Sequence, residues 1–298
     1  MVPDSAVPGQ EGLLREAQVT VVGLGLMGGS LAGALKTAGA CRRVVGAVRR
    51  PETAVSAVEK GWVDAASTTL ADTVAQADIV VMAAPVRTII EMLPQVGRLV
   101  RPGCLVMDLG STKVEIVRAL AGLPEGVEVL GGHPMCGKES SGLEAAEPTL
   151  FQDRVFVLTP LKRTGGTALA LAHELVRATG ARPLVLEAEE HDQLVASVSH
   201  LPYLLACGLV RTADELASTR PVLWQLASSG FCDTSRLAAS NVEMMVDILL
   251  TNREAVLTML RGFETQSRAL AELLDTRDES GLKQALEAAA LRRRSLFQ

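Results

Sequence analysis

The chain has 298 residues, a formal net charge of −5 and an apolar fraction of 48% with very few aromatics, so there is room for two domains with cores of Leu, Val and Ala. The acidic balance leaves no basic stripe for nucleic acid: the one dense basic cluster, Arg292, Arg293 and Arg294, reads as a solvated helix terminus. Charges or prolines interrupt each apolar run before the roughly 18 residues of a membrane span, and the five scattered cysteines, without a Cys-x-x-Cys pair, indicate neither a disulfide framework nor a metal site.

In chain order, residues 1–17 are polar, with two prolines and two glycines, and are expected as a flexible leader without the pattern of a signal peptide, which points to the cytoplasm. An apolar run at 19–22 then breaks into Gly23-x-Gly25-x-x-Gly28 and a helix-compatible stretch at 29–35. This is the strand, tight turn and helix of a dinucleotide-binding unit. Gly23 permits the exit from the strand, Gly25 lets backbone approach a pyrophosphate, and Gly28 lets the helix pack on the sheet. Leu26 and Met27 open that helix, so their N–H groups would face the phosphates.

Strands are expected at 43–48, 79–84, 104–108, near 127–130, at 155–158 and at 183–186, with helices at 51–60, near 70–77, from 88, from 113 and at 166–179. The alternation predicts an α/β fold with a doubly wound, Rossmann-type parallel sheet over residues 1–188. From Glu189 the pattern changes, and Leu194, Val198, Leu201, Leu204 and Leu205 recur with helical spacing. Residues 189–298 are therefore expected as an all-helical domain. Its closing helices, around 255–274 and 282–296, carry enough Leu and Ala to bury themselves either against a second copy, as a homodimer, or in an intramolecular bundle.

A NAD-binding unit places Asp or Glu at the end of its second strand, on the ribose 2′-hydroxyl. That place holds Val48, followed by Arg49 and Arg50. Two guanidiniums pair well with a 2′-phosphate, so NADP is favoured, with NAD as the alternative if both arginines point to solvent.

Open α/β sheets bind ligands beyond the carboxyl ends of their strands, so polar residues there carry the chemistry. Ala84 and Pro85 form an apolar strand end over which a cofactor would run. Ser111 and Thr112 either cap the next helix or bring hydroxyls to the nicotinamide ribose or substrate. His133, between glycines and a proline, holds an imidazole suited to proton transfer near neutrality, unless it is a satisfied structural group. In the helical half, Glu190, His191 and Asp192 precede Ser199-His200-Leu-Pro202-Tyr203, where the proline would kink a helix. Arg236 stands in a turn-rich polar segment, where it takes either a substrate carboxylate in a two-pronged bond or Asp233 in a salt bridge.

Taken together the motifs resemble the prephenate and arogenate dehydrogenase family of tyrosine biosynthesis. The resemblance runs from Val19 to about Leu274 and rests on Gly-Leu-Gly-Leu-Met-Gly-Gly-Ser at 23–30, Asp-x-Gly-Ser-x-Lys at 108–113, Gly-His-Pro-Met at 132–135, His-Asp at 191–192, Ser-His-Leu-Pro at 199–202 and Asp-Thr-Ser-Arg at 233–236. It implies an NAD(P)-dependent oxidative decarboxylation of prephenate or arogenate, with His133 and Ser111 catalytic, and with Arg236, Tyr203 and His200 toward the substrate. His200 and His191 also read as structural groups at the kink. Two departures stand out: Cys136 replaces the alanine expected after His-Pro-Met, and Tyr203 stands where some prephenate-preferring relatives have a histidine. The Asp-Thr-Ser-Arg segment and the absent second-strand carboxylate resemble NADP-using arogenate dehydrogenases.

Two rival readings are a β-hydroxyacid dehydrogenase and a nucleotide-sensing protein without turnover. The first would place a lysine in the helical domain as proton donor, whereas no lysine lies between Lys162 and Lys283. The second would keep the cofactor site and leave His133 structural.

Overall fold

A computed structural model describes residues 12–138 and 140–296, so positions 1–11 of the expected leader lie outside the described residues. Residues 12–17 depart from the expectation of a loose leader. Leu14 is buried in a 3-10 turn, and the carboxylate of Glu174 accepts from the backbone N–H groups of Gly12 (3.1 Å) and Leu14 (2.9 Å). One apolar side chain and a carboxylate far away in sequence dock a segment whose composition reads as solvated.

Strands and helices then alternate: β1 (Gln18–Val22), α1 (Leu26–Thr37), β2 (Arg43–Ala47), α2 (Pro51–Glu59), β3 (Ala65–Ser67), α3 (Leu70–Val74), β4 (Ile79–Met82), α4 (Val86–Leu99), β5 (Leu105–Asp108), α5 (Val114–Ala121), β6 (Glu128–Pro134), β7 (Val155–Pro160), α6 (Gly166–Ala178) and β8 (Arg182–Val185). They form one sheet in the order β3-β2-β1-β4-β5-β6-β7-β8. The order reverses between β1 and β4, which opens a crevice at their carboxyl ends, the place where such sheets take a ligand. Val19 and Val21 of β1 pack toward Leu31, Leu35 and Leu175 on one face. Val22, Val80 and Met82 pack toward Ile89, Leu93, Ile116 and Leu120 on the other. Burial on both faces is why these strands read as continuous apolar runs.

The sheet is parallel except between β6 and β7, which pair antiparallel, with His133 opposite Val157. A parallel neighbour needs a crossover helix, and among the described residues between these strands there is only the 3-10 turn Leu143–Ala145. The chain therefore returns along the same edge.

The helical half runs through α7 (Ala188–Val195), a π-helical turn (Ala196–His200), α8 (Leu201–Ala217), α9 (Leu223–Leu226), α10 (Ser229–Ser235), a 3-10 turn (Arg236–Ala239), α11 (Val242–Thr251), α12 (Arg253–Asp275) and α13 (Glu279–Leu296). The expected kink at Pro202 takes the form of the π turn just before it: proline has no N–H to continue the α-helical ladder, and the turn absorbs the mismatch. Within one chain the closing helices bury little. Val256 is the one buried residue of α12 and α13 has none, while Phe263, Leu274, Leu286 and Leu291 are exposed. An intramolecular bundle is thus not what these helices build.

Several bonds fasten the halves to each other. Thr112 and Thr251 share a hydroxyl bond of 2.9 Å. Asp192 takes the N–H groups of Lys113 (2.7 Å) and Val114 (2.9 Å). Asp247 takes the N–H of Arg87 at 3.3 Å and pairs with its guanidinium.

Candidate active site

The crevice between β1 and β4 is floored by the glycine turn. Gly23 has φ +100, and a Cβ on Gly28 would stand 1.9 Å from the carbonyl oxygen of Gly23, so both positions serve the protein's own packing. At Gly25 nothing lies within 4 Å of a would-be Cβ, which leaves that space to a ligand. Gly25 caps α1 without a side-chain bond, and no acidic residue stands in the first turn of α1. Uncapped N–H groups at the positive end of a helix dipole, beside a bare backbone, fit a pyrophosphate. Leu26 and Met27, half-buried, form the first turn; Ala84 and Pro85 rim the crevice after β4; Arg49 and Arg50 stand exposed after β2, beyond the buried Val48. These are the residues that could hold the two ends of a dinucleotide.

This geometry separates two substitutions. Gly28→Ala meets backbone and should destabilise the fold by about 1–3 kcal/mol, as overpacking does. Gly25→Ala should leave the melting temperature unchanged and weaken dinucleotide affinity by about tenfold or more, a loss of roughly 1.4 kcal/mol. Thermal melts and fluorescence titration of the cofactor check both, and equal behaviour of the two variants would remove the distinction.

Beyond β5 the chain turns through Ser111 and Thr112 into α5. Asp108, fully buried, accepts from the N–H groups of Gly110 (2.7 Å) and Gly132 (3.0 Å) and pairs with Lys113, which also donates to the carbonyl of Gly132 at 2.6 Å. This buried ion pair fixes the backbone of β6 one residue before His133. Burial pushes the Asp108 carboxyl up and the Lys113 ammonium down from their ordinary ranges, and each charge holds the other against that push. Ser111, half-buried, sits at the bend. Neither Ser111 nor Thr112 caps α5: Thr112 bonds Thr251, and the cap is the carboxylate of Asp192 from the helical half.

His133, half-buried near the end of β6, heads a hydrogen-bonded chain. Its Nδ1 lies 2.8 Å from Nε2 of His191, whose Nδ1 lies 2.8 Å from Oδ1 of Asp192. The two rings meet edge to face, with centroids 5.0 Å apart. Asn252, at the junction of α11 and α12, donates its amide to the backbone oxygen of Asp192 (2.7 Å) and to Nδ1 of His200 (3.2 Å). Burial, reinforced by His191, Lys113 and His200, holds His133 well below its ordinary 6.5, so the ring is a neutral acceptor at pH 7.

His133 and Ser111 thus lie where the sequence places them, at the carboxyl ends of neighbouring strands. The other expectations fare differently. His200 is 2% exposed, is held to about 4 chiefly by burial, and is engaged by Asn252, so it stands in this structure as a buried, hydrogen-bonded group of the helical half. Tyr203 packs with Met245 and Ile248 and bonds Cys207, so it too is a core residue of the helical half. Arg236 is exposed at the start of its 3-10 turn and is not brought into the His133 chain. Sequence reasoning gave His191 a structural part and assigned none to Asp192, Asn252 or the Asp108–Lys113 pair. The available signal was polar residues on a helix that should be apolar, and the hydrogen-bond partners lie too far apart in sequence to be paired by inspection.

Two family models match the chain one after the other: "Prephenate dehydrogenase, nucleotide-binding domain" over residues 31–185 and "Prephenate dehydrogenase, dimerization domain" over 187–288. The chain belongs to the prephenate dehydrogenase family. Among curated members of the prephenate dehydrogenase family, that of Lactococcus lactis is 33% identical over 91% of this chain and 75% of its own length. A solved prephenate dehydrogenase of A. aeolicus, in complex with hydroxyphenyl propionate and NAD+, superposes with a TM-score of 0.89 at 30% identity, covering 95% of this chain and 99% of that one. Synechocystis arogenate dehydrogenase gives 0.83 at 30% identity, covering 94% and 99%. As a member of the prephenate dehydrogenase family the chain is a dehydrogenase, and its cofactor is a nicotinamide dinucleotide.

Proposed function

We propose that this chain oxidatively decarboxylates prephenate, arogenate or both, with NADP preferred to NAD, in the cytoplasmic synthesis of tyrosine. The observation that carries this reading is the imidazole of His133, bonded to His191 and placed on a pinned strand end at the same carboxyl edge of the sheet as the dinucleotide crevice. A nicotinamide dinucleotide held by the glycine turn and the amino end of α1 would supply the acceptor for the hydride from C4 of the cyclohexadienol ring. His133 takes the proton of the C4 hydroxyl as the carbonyl forms. Ser111 orients that hydroxyl, and Arg236 holds a substrate carboxylate. Loss of the ring carboxylate as carbon dioxide leaves an aromatic ring, so the chemistry runs downhill and the chain's work is to position and polarise.

What supports NADP is that Arg49 and Arg50, exposed directly after β2, could turn to a 2′-phosphate, with no carboxylate on the strand end to repel it. The exposed apolar faces of α11, α12 and α13, inside a region matched as a dimerization domain, support a homodimer. The continuous helix Ala188–Ala217 has the length and hydropathy of a membrane span, and we read its apolar face as part of that same contact rather than as a membrane contact. No nucleic-acid partner is proposed, given the acidic surface balance.

The test is a spectrophotometric assay of nicotinamide reduction with prephenate and arogenate, each offered NAD and NADP. Reduction with at least one substrate, faster with NADP, is the expected result, and no reduction with either substrate would sink the proposal. Replacing both Arg49 and Arg50 by Ala should raise the KM for NADP by about 10-fold or more, in keeping with charge-assisted bonds of 1.5–3 kcal/mol, and leave that for NAD unchanged.

A further inference from the structure

We propose that His191, backed by Asp192, is a positioning residue that selects the tautomer of His133 and so decides which of its nitrogens is free to act as base. This inference rests on His133 being that base. The chain of donors begins at Asp192. Its carboxylate takes the N–H groups of Lys113 and Val114 at the amino end of α5 and, through Oδ1, the Nδ1 of His191. A carboxylate can only accept, so Nδ1 of His191 carries the hydrogen. A neutral His191 then offers only a lone pair at Nε2, and the atom 2.8 Å away, Nδ1 of His133, must donate to it. The lone pair of His133 is thereby left on Nε2, and Nε2 receives the substrate proton.

No proton need leave the chain during the step. As Nε2 of His133 gains a proton, Nδ1 keeps its own, and the imidazolium is held by the acceptor at His191 and, beyond it, by the charge of Asp192. The other charged or titratable groups facing His133 are Lys113, itself paired with Asp108, and His200. Lys113 disfavours the cation by charge, as a protonated His191 or His200 would, whereas a neutral His191 meets it with an acceptor lone pair. The logic is that of an acid, an imidazole and a reacting group in series, with a second imidazole inserted.

The experiment uses the full chain, labelled with 15N-histidine, and reads ring nitrogens by NMR above pH 7. The sequence has four histidines, at 133, 173, 191 and 200, so the signals are assignable by substitution. In the parent, His133 should show a pyrrole-type Nδ1 and a pyridine-type Nε2. His191→Phe removes the acceptor; His133 should then turn over to the Nε2–H form and kcat should fall by about 10²-fold, the scale of general-base assistance, with the substrate KM nearly unchanged. His191→Gln returns an acceptor near the position of Nε2 and should restore the Nδ1–H form and most of the turnover. A parent already in the Nε2–H form, a tautomer unmoved in His191→Phe, or a Gln variant as slow as the Phe variant would each overturn the inference. Failure of the underlying reading looks different: His133→Asn would keep its turnover, whatever His191 does.

Discussion

His133→Asn is expected to lower kcat by about 10²–10⁴-fold while dinucleotide affinity stays at the parent value. General-base assistance is worth that range, and each tenfold is about 1.4 kcal/mol of transition-state stabilisation. Affinity is spared because the glycine turn and the amino end of α1 that meet the phosphates belong to other elements. The same residue sets the pH dependence. As the proposed base His133 acts only while neutral, and burial holds its pKa well below 6.5. The kcat/KM should therefore stay flat as pH falls through 6.5 and drop only lower, as the ring protonates. Stability follows a related course: His200, lowered from 6.5 to about 4 mainly by burial, is neutral in the folded chain, so its contribution is complete above pH 6.5 and is lost as pH falls toward 4. Rate profiles with parent and variant check the first claim. A limb centred at 6.5 would mean the imidazole is more solvated than its surroundings imply, and an Asn variant of parental rate would remove the base altogether.

Lys113→Met is expected to produce the largest loss of stability, about 3–5 kcal/mol, because it strands the Asp108 carboxylate in a fully buried site. Both side chains are 0% exposed. The N–H groups of Gly110 and Gly132 remain to Asp108, but they do not replace a full positive charge. The partner experiment separates the pair from its consequences. Converting Asp108 to Asn in the Lys113→Met background leaves neutral groups only, so most of the stability should return, as it does when both members of a buried pair are replaced. Turnover should not return, since the ammonium that tethers the Gly132 carbonyl beside His133 is still missing. Urea melts of the two single variants and the double variant measure the coupling. A Lys113→Met protein as stable as its parent would show that the carboxylate is neutralised in place.

Much of the architecture was open to inspection because its signals are local. Valine-rich runs such as 79–82 and 105–108 and the turn after Val22 need no knowledge of partners. What escaped is what depends on partners. β3 is Ala65, Ala66 and Ser67, with no apolar run to mark it, and it is a strand only because β2 is beside it. The direction of β7 could have been read from the missing helix between it and β6. The site divides in the same way. His133 announces itself by the glycines and proline around it, whereas the bond from His133 to His191 spans 58 residues and the cap of α5 comes from a residue 79 positions on. Polar residues on an otherwise apolar helix said that something was there, without saying what they faced.

The bonds that fasten the two halves have a mechanical consequence. Thr112 to Thr251, Asp192 to the start of α5, and Arg87 to Asp247 all cross the cleft. Asp192 serves at once as a rivet between halves and as the electrostatic anchor of the histidine pair. A swing that parted the halves would disarm the base in the same movement. Ligand exchange is therefore expected to proceed by local shifts of side chains and loops at the rim, with the histidine pair kept assembled, and a hinge opening of the two halves during turnover would contradict this.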